Sequence, residues 1–300
     1  MVTSAGRHED PVHRLLEPPG NGGPTVLRIL LGAQLRRLRE SKRISLEDAG
    51  NAIRASHSKV SRLETGRVGF KDRDIVDLLT LYGVTDEDER ESLRSLAAKA
   101  NSPGWWHDYS DVLPGWFEAF VGLEEAASQI RSYESHFVPG LLQTEDYARG
   151  VIKLEYNQPR EVDRRLSLRT ARQVLLERDD PPNLWVVLDE AVLRRPIGGA
   201  NAMHKQIQHL IEVSQRPNIT IQVMPFSAGG HRVTWGPFKV LRFAEYDLPD
   251  VVYMEQLTSA LYLDKPEVVD SYMAVMERLC IGAATPAATV KLLRAAVKEY

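Results

Sequence analysis

The sequence predicts an all-α N-terminal domain of five short helices, followed by an α+β domain built on a small, mostly antiparallel sheet. Three observations carry this. Apolar residues recur at helical spacing from Leu27 to Ala100, and the breaker cluster Asn101-Ser-Pro-Gly104 ends that pattern. Beyond it, continuous and alternating apolar runs, the marks of strands, are interleaved with helical stretches. The length of 300 residues suits about two domains.

Residues 1–24 hold Pro, Gly, His and charge without periodicity and read as a disordered arm. Leu27, Leu31, Leu35 and Leu38 form the stripe of a first helix. Ser45-Leu-Glu-Asp48 has the form of a capping box and opens a second helix bearing Leu46, Ala49, Gly50 and Ile53. Ser56 caps a third helix, whose apolar residues are Val60 and Leu63 and which ends at Thr65-Gly66, where glycine can take a left-handed conformation. Ile75, Leu78, Leu79 and Tyr82 mark a fourth helix ending at Gly83, and Thr85 caps a fifth carrying Leu93, Leu96, Ala97 and Ala100. The helical domain is thus 25–100, the linker 101–104 and the second domain 105–300.

The second domain opens on the aromatic-rich segment GWWHDYSDVLPGWFEAF, helical after Pro114. A strand is expected over Ile130 to Val138, then helices over Glu145 to Lys153 and Glu161 to Glu177. The continuous apolar run Leu184 to Leu188 is the pattern of a buried strand. A helix over Asn201 to Ser214 precedes alternating segments at Ile219 to Val223, Phe238 to Phe243 and Val251 to Tyr253. Two helices close the chain, the last capped by Thr285 with Pro286 in its first turn.

Composition excludes several classes. No apolar run approaches the roughly 18 residues that span a bilayer, and the N-terminus lacks the apolar middle of a secretory signal. One cysteine, Cys280, rules out an internal disulfide framework and a cysteine-clustered metal site. The expectation is a cytoplasmic chain without membrane contact, metal or cofactor. The net charge of −3 hides an asymmetry: Arg28 to Lys71 holds 11 Lys and Arg against 4 Asp and Glu, a net of +7. Asp72 to Ala100 holds 4 against 8. A short basic block on an acidic chain is the footprint of a polyanion-binding surface.

That block contains the second and third helices. Gly50 supplies a small crossing position, sealed by Ile53, Val60 and Leu63, so the two helices form a helix-turn-helix. The third helix has a narrow apolar base and a polar face of His57, Ser58, Lys59, Ser61 and Arg62. His57, Ser58, Lys59 and Arg62 are the base-reading candidates, since donors on one exposed helix face suit a DNA major groove.

The segment GAQLRRLRESKRISLEDAGNAIRASHSKVSRLETG resembles the Xre, phage-repressor-like helix-turn-helix family. The resemblance implies a five-helix fold that binds double-stranded DNA as a homodimer at an inverted-repeat operator. It implies a structural ion pair between Arg39 and Glu64 that fixes the loop whose amides meet phosphate. Phosphate contacts then fall to Ser45, Ser56, Arg67, Lys71 and Arg73. Two positions depart from the pattern. Arg54 stands where glycine is usual, at a cost of about 1 kcal/mol if it is left-handed, and Gly50 stands where alanine is usual, weakening the helix by about as much.

The resemblance continues through GWWHDYSDVLPGWFEAFVGLE, VPGLLQTEDYARGVI, RTARQVLLERDDPP, WVVLDEAVLRRPIGG and VMPFSAGGH to the WhiJ-like, antitoxin-like group of actinomycete regulators. It implies a transcriptional regulator often paired with a small partner protein encoded nearby. From the residues themselves, Trp105, Trp106 and Trp116, with Tyr109, Phe117 and Phe120, are a core seam, a partner platform or a pocket lining. His231, in a Gly-rich loop, is a structural hydrogen-bonder, a ligand contact or a base. Asp189, Glu190 and Glu255 end apolar strands, but no nucleophile or phosphate-binding motif accompanies them, so no enzyme is expected. His204 and His209 are five residues apart and do not share a helix face well, so they make no metal pair. Arg169 and Arg194-Arg195 could receive an anion, although Arg169 and Arg172 read first as a solvated or ion-paired helix face. The sequence reading is therefore a sequence-specific DNA-binding regulator whose second domain dimerises and receives a signal from a small protein partner. A small-ligand sensor is the alternative, and an enzyme tethered to DNA a more distant one.

Overall fold

The computed structural model describes residues 23–230, 236–244 and 248–300. The chain divides into two compact units, Met1–Trp105 and Trp106–Tyr300. Among the described residues the first unit holds five helices: α1 (Pro24–Ser41), α2 (Leu46–Ala52), α3 (His57–Glu64), α4 (Asp72–Leu81) and α5 (Glu87–Ala100). All but Gly23 and Pro24 of the expected N-terminal arm lies outside the described residues, and Pro24 already forms the first turn of α1.

Local chemistry explains these boundaries. Ser45 accepts from the Asp48 amide and Ser56 from the Lys59 amide, so α2 and α3 start on side-chain caps. α5 starts one residue later than expected: Asp86, not Thr85, accepts from the Glu89 amide at 2.8 Å. A carboxylate in that place also meets the positive end of the helix dipole. The stripes converge on one core in which Leu31, Leu35, Val60, Leu63, Ile75 and Leu79 are fully buried. Asn101, placed in the linker by sequence, belongs to this unit, because its side-chain amide pairs with both backbone groups of Phe70 and pins the loop before α4.

The second unit is built on a six-stranded sheet in the order β3-β2-β1-β4-β5-β6. The strands are β1 (Gln129–Glu134), β2 (Asn183–Asp189), β3 (Ile219–Met224), β4 (Phe238–Arg242), β5 (Val251–Glu255) and β6 (Ala260–Leu263). β1, β2 and β3 pair in parallel, while β4, β5 and β6 add antiparallel. The sheet is therefore mixed, not mostly antiparallel. The cause is the connections: β1 reaches β2 through α7 (Glu145–Ile152) and α8 (Pro159–Gln173), and β2 reaches β3 through α9 (Glu190–Leu193) and α10 (Ala200–Val213). A helical crossover returns the chain to run parallel.

Before β1 lie a short 3-10 turn (Trp105–Tyr109) and α6 (Gly115–Ala126). After β6 come α11 (Pro266–Gly282) and α12 (Pro286–Val297), the latter capped by Thr285 through the Ala288 amide. Side chains alternate across the sheet. Tyr133, Val240, Val252 and Met254 pack with Val269, Met276 and Leu279 of α11. Ser132, Glu134, Lys239, Tyr253 and Glu255 fall on the opposite face by that alternation.

Candidate functional site

In the first unit, the turn between α2 and α3 is tighter than its sequence suggests. The Ala55 amide donates to the Gly50 carbonyl at 2.8 Å. A Cβ on Gly50 would lie 2.7 Å from the Ala55 carbonyl oxygen, so the turn leaves no room for alanine. Arg54 takes a φ of 55°, the left-handed conformation expected where glycine is usual.

Arg39 locks the motif from α1. Its Nε donates to Glu64 Oε1 at 2.6 Å and its Nη2 to Glu64 Oε2 at 2.9 Å, with both residues buried. Its Nη1 donates to the Ile44 carbonyl at 2.8 Å. One guanidinium therefore holds the C-terminal end of α3 and the start of the chain into α2. The hydrogen bond that Arg39 donates to Glu64 raises the Arg39 pKa against the opposing effect of burial. A close approach missing from the sequence reading supports the same contact: Gly32 of α1 sits where a Cβ would come within 2.5 Å of the Leu63 carbonyl oxygen.

The expected base readers divide. His57, Ser58 and Arg62 are exposed on α3. Arg62 Nε donates to the Ser58 carbonyl at 3.3 Å, and its terminal nitrogens have no partner among the described residues. Lys59 differs from these: its ammonium is held 2.5 Å from Asp74 Oδ2, and that carboxylate is buried. The expected phosphate contacts divide too. Arg67, Lys71 and Arg73 are exposed and make no ion pair among the described residues. The Ser45 hydroxyl instead donates to Asp48 Oδ2 at 2.6 Å, and the Ser56 hydroxyl accepts the Lys59 amide.

In the second unit the candidate surface is dispersed. Trp106 is buried and Trp116 half-buried, its carbonyl accepting from the Tyr262 hydroxyl; Trp105 ends the first unit. His231 lies outside the described residues. Asp189 caps α9 through the Ala191 amide, and Glu190 accepts from the Phe226 amide and from Arg194. Arg194 also binds Glu299, so it is not an open anion receiver. Among the described residues no cluster of three His, Cys, Asp or Glu could hold a metal, and no single helix is long and apolar enough to cross a membrane.

Comparison with known families fits this division. Residues 30–93 match the model of a helix-turn-helix domain. Residues 117–295, more than half of the chain, match a domain of unknown function, DUF5753. The chain belongs to the DUF5753 family. No curated protein and no solved structure matches it.

The DUF5753 domain holds a cavity of about 650 Å³. Its lining includes Glu134, Lys239, Tyr253 and Glu255 from the sheet, and Arg165, Leu168, Arg169 and Arg172 from α8. Those α8 positions are spaced i, i+3, i+4, i+7, the pattern that ordinarily presents an apolar stripe to a core. Of the solvated or ion-paired face expected for Arg169 and Arg172, Arg172 takes the ion-paired form, and half-buried Arg169 lines the cavity. Arg172 pairs with buried Glu124 at 2.8 and 2.9 Å and lies 5.1 Å from the Phe117 ring centroid. Arg165 binds Glu161 at 3.0 Å and stacks 3.6 Å over Tyr156. Lys239 meets Glu134 at 2.5 Å, yet burial still raises the Glu134 pKa. Arg169 donates to Gln143 Oε1 at 2.6 Å; burial and then the neighbouring Arg172 charge push its guanidinium down to about 10.

Proposed function

We propose that the chain is a sequence-specific DNA-binding transcriptional regulator of the Xre, WhiJ-like, antitoxin-like kind. It binds an inverted-repeat operator as a homodimer. The observation that carries this reading is the exposed face of α3, locked in place by the Arg39–Glu64 pair and rimmed by exposed Arg67, Lys71 and Arg73. Arg62, His57 and Ser58 meet base edges, and Arg62 offers the planar fork that suits guanine O6 and N7. Lys59 positions α3 against α4 through Asp74. The exposed cations contact phosphate and give affinity without sequence preference.

The DUF5753 domain dimerises and receives the regulatory signal. A small protein partner is the input that the resemblance implies. The cavity favours a second reading, a small ligand. Either input acts by changing the placement of two recognition helices, because two heads must match half-sites about one helical turn apart. The DNA reading is tested by selecting bound duplexes from a random pool with wild type and Arg62→Ala. Wild type should enrich an inverted repeat, and the variant should lose preference at one position in each half-site. Identical enrichment by the two proteins would remove Arg62 from the readers.

A further inference from the structure

The cavity of the DUF5753 domain is lined by charges of both signs, which are not paired one to one. Four cations line it. Arg165, Arg172 and Lys239 each meet a carboxylate: Glu161, Glu124 and Glu134 respectively. Arg169 meets none among the described residues, and only the neutral Gln143 oxygen accepts from it. Arg169 is half-buried; burial and then the Arg172 charge lower its pKa against the opposing charges of Glu255 and Glu124, so a partly desolvated cation faces the cavity with no carboxylate in ion-pair contact among the described residues. A guanidinium also presents donors in a flat fork that matches a carboxylate.

A second observation is independent of charge. Leu154 and Leu257 line the same cavity, and they are 64% and 87% exposed. The chain thus leaves large apolar side chains uncovered beside a cavity of about 650 Å³, within the roughly 300–1,000 Å³ range of small-molecule sites. The remaining apolar wall includes Trp116, Phe117 and Ile152. Glu134, Glu155 and Glu255 also line the cavity, so a second negative charge on an occupant would meet carboxylates.

We propose that this cavity binds a small organic monocarboxylate, with its carboxylate on Arg169 and its apolar body against Trp116, Phe117, Leu154 and Leu257. Its role as regulatory input rests on the regulator reading above; its binding does not, and is measured without DNA. The probes are 2-naphthoate, indole-3-acetate and decanoate, each beside its neutral alcohol, with 2-naphthyl phosphate as the dianion. Titration calorimetry on the full chain compares wild type, Arg169→Gln and Leu257→Asp.

At least one acid should bind wild type with one site per chain, about tenfold or more tighter than its alcohol, because the bond to a charged group is lost in the alcohol. The phosphate should bind no tighter than 2-naphthoate. Arg169→Gln should abolish the preference for acid over alcohol. Leu257→Asp, at an exposed position where folding is undisturbed, should weaken the acid by placing a carboxylate beside the site. The proposal is overturned if no acid binds wild type at millimolar concentration, if alcohols bind as well as acids, or if the phosphate binds tightest. Unchanged acid binding in Arg169→Gln overturns it too; if that variant does not fold, unchanged binding in Leu257→Asp does so. Failure of the regulator reading appears separately, as a wild-type chain that binds acids but selects no DNA.

Discussion

Lys59 Nζ sits 2.5 Å from Asp74 Oδ2, and Asp74 is only 2% exposed, so an ion pair fastens α3 to α4. Removing the lysine strands a buried carboxylate. Lys59→Met should therefore lower stability by about 2 kcal/mol, less than a fully enclosed pair because the lysine is partly exposed. Lys59→Met/Asp74→Asn should recover most of that loss. Thermal unfolding of the four proteins of this cycle measures it. A Lys59→Met protein of unchanged stability but altered sequence preference would return Lys59 to the readers.

Arg39 joins two elements with one fork, so its loss has two consequences. Arg39→Lys keeps the charge but cannot reach both Glu64 oxygens and the Ile44 carbonyl at once. A stability loss of about 2–4 kcal/mol is expected for this buried site. DNA affinity should fall alike for all sequences, because the scaffold loosens while the readers remain. Parallel titrations of operator and scrambled duplex check this; a selective loss on operator would assign Arg39 a reading role.

Gly32 gives an opposite sign from propensity. On an isolated helix, Gly→Ala stabilises by about 1 kcal/mol. Here the added Cβ would lie 2.5 Å from the Leu63 carbonyl oxygen and 2.7 Å from that of Glu64. Both neighbours are backbone, so α1 and α3 must separate. Gly32→Ala should destabilise by about 1–3 kcal/mol, as overpacking does. A raised midpoint in chemical denaturation would contradict the close packing.

These contacts show what a sequence displays. The helical unit was legible because its signals are local: each stripe and each serine cap lies within one helix. Strand direction was not, because Ile130 pairs with Leu184 across 54 residues and only the intervening helices decide the sense. The run Leu184 to Leu188 was read as buried, which is the face of a parallel strand, but its neighbours were not visible. The partner of Lys59 is not visible in sequence because Asp74 lies on another helix. Gly50 was read as a weakness because the Ala55 carbonyl that excludes a side chain is apparent only in three dimensions. Arg165, Leu168, Arg169 and Arg172 did carry a signal. Their core-facing spacing is the signal of a cationic stripe turned to the cavity, and the ion-paired reading of that face holds for Arg172.

His209 supplies a pH test of the second unit. It is half-buried on α10, and burial lowers its pKa below 6.5, with Glu212 opposing and Arg216 assisting. In the unfolded chain the imidazole titrates near its ordinary value, so the unfolded state binds the proton more tightly. Stability from the neutral ring is then complete above about pH 6.5 and is lost as pH falls through the lower folded value. His209→Gln keeps a polar side chain but removes the proton site. Melting temperatures of both proteins from about pH 7.5 to about pH 5.5 should diverge, with wild type falling more steeply on acidification. Other groups titrate in both proteins alike, so the difference between the curves isolates this histidine. Parallel curves would mean that the folded chain protonates His209 as readily as the unfolded one.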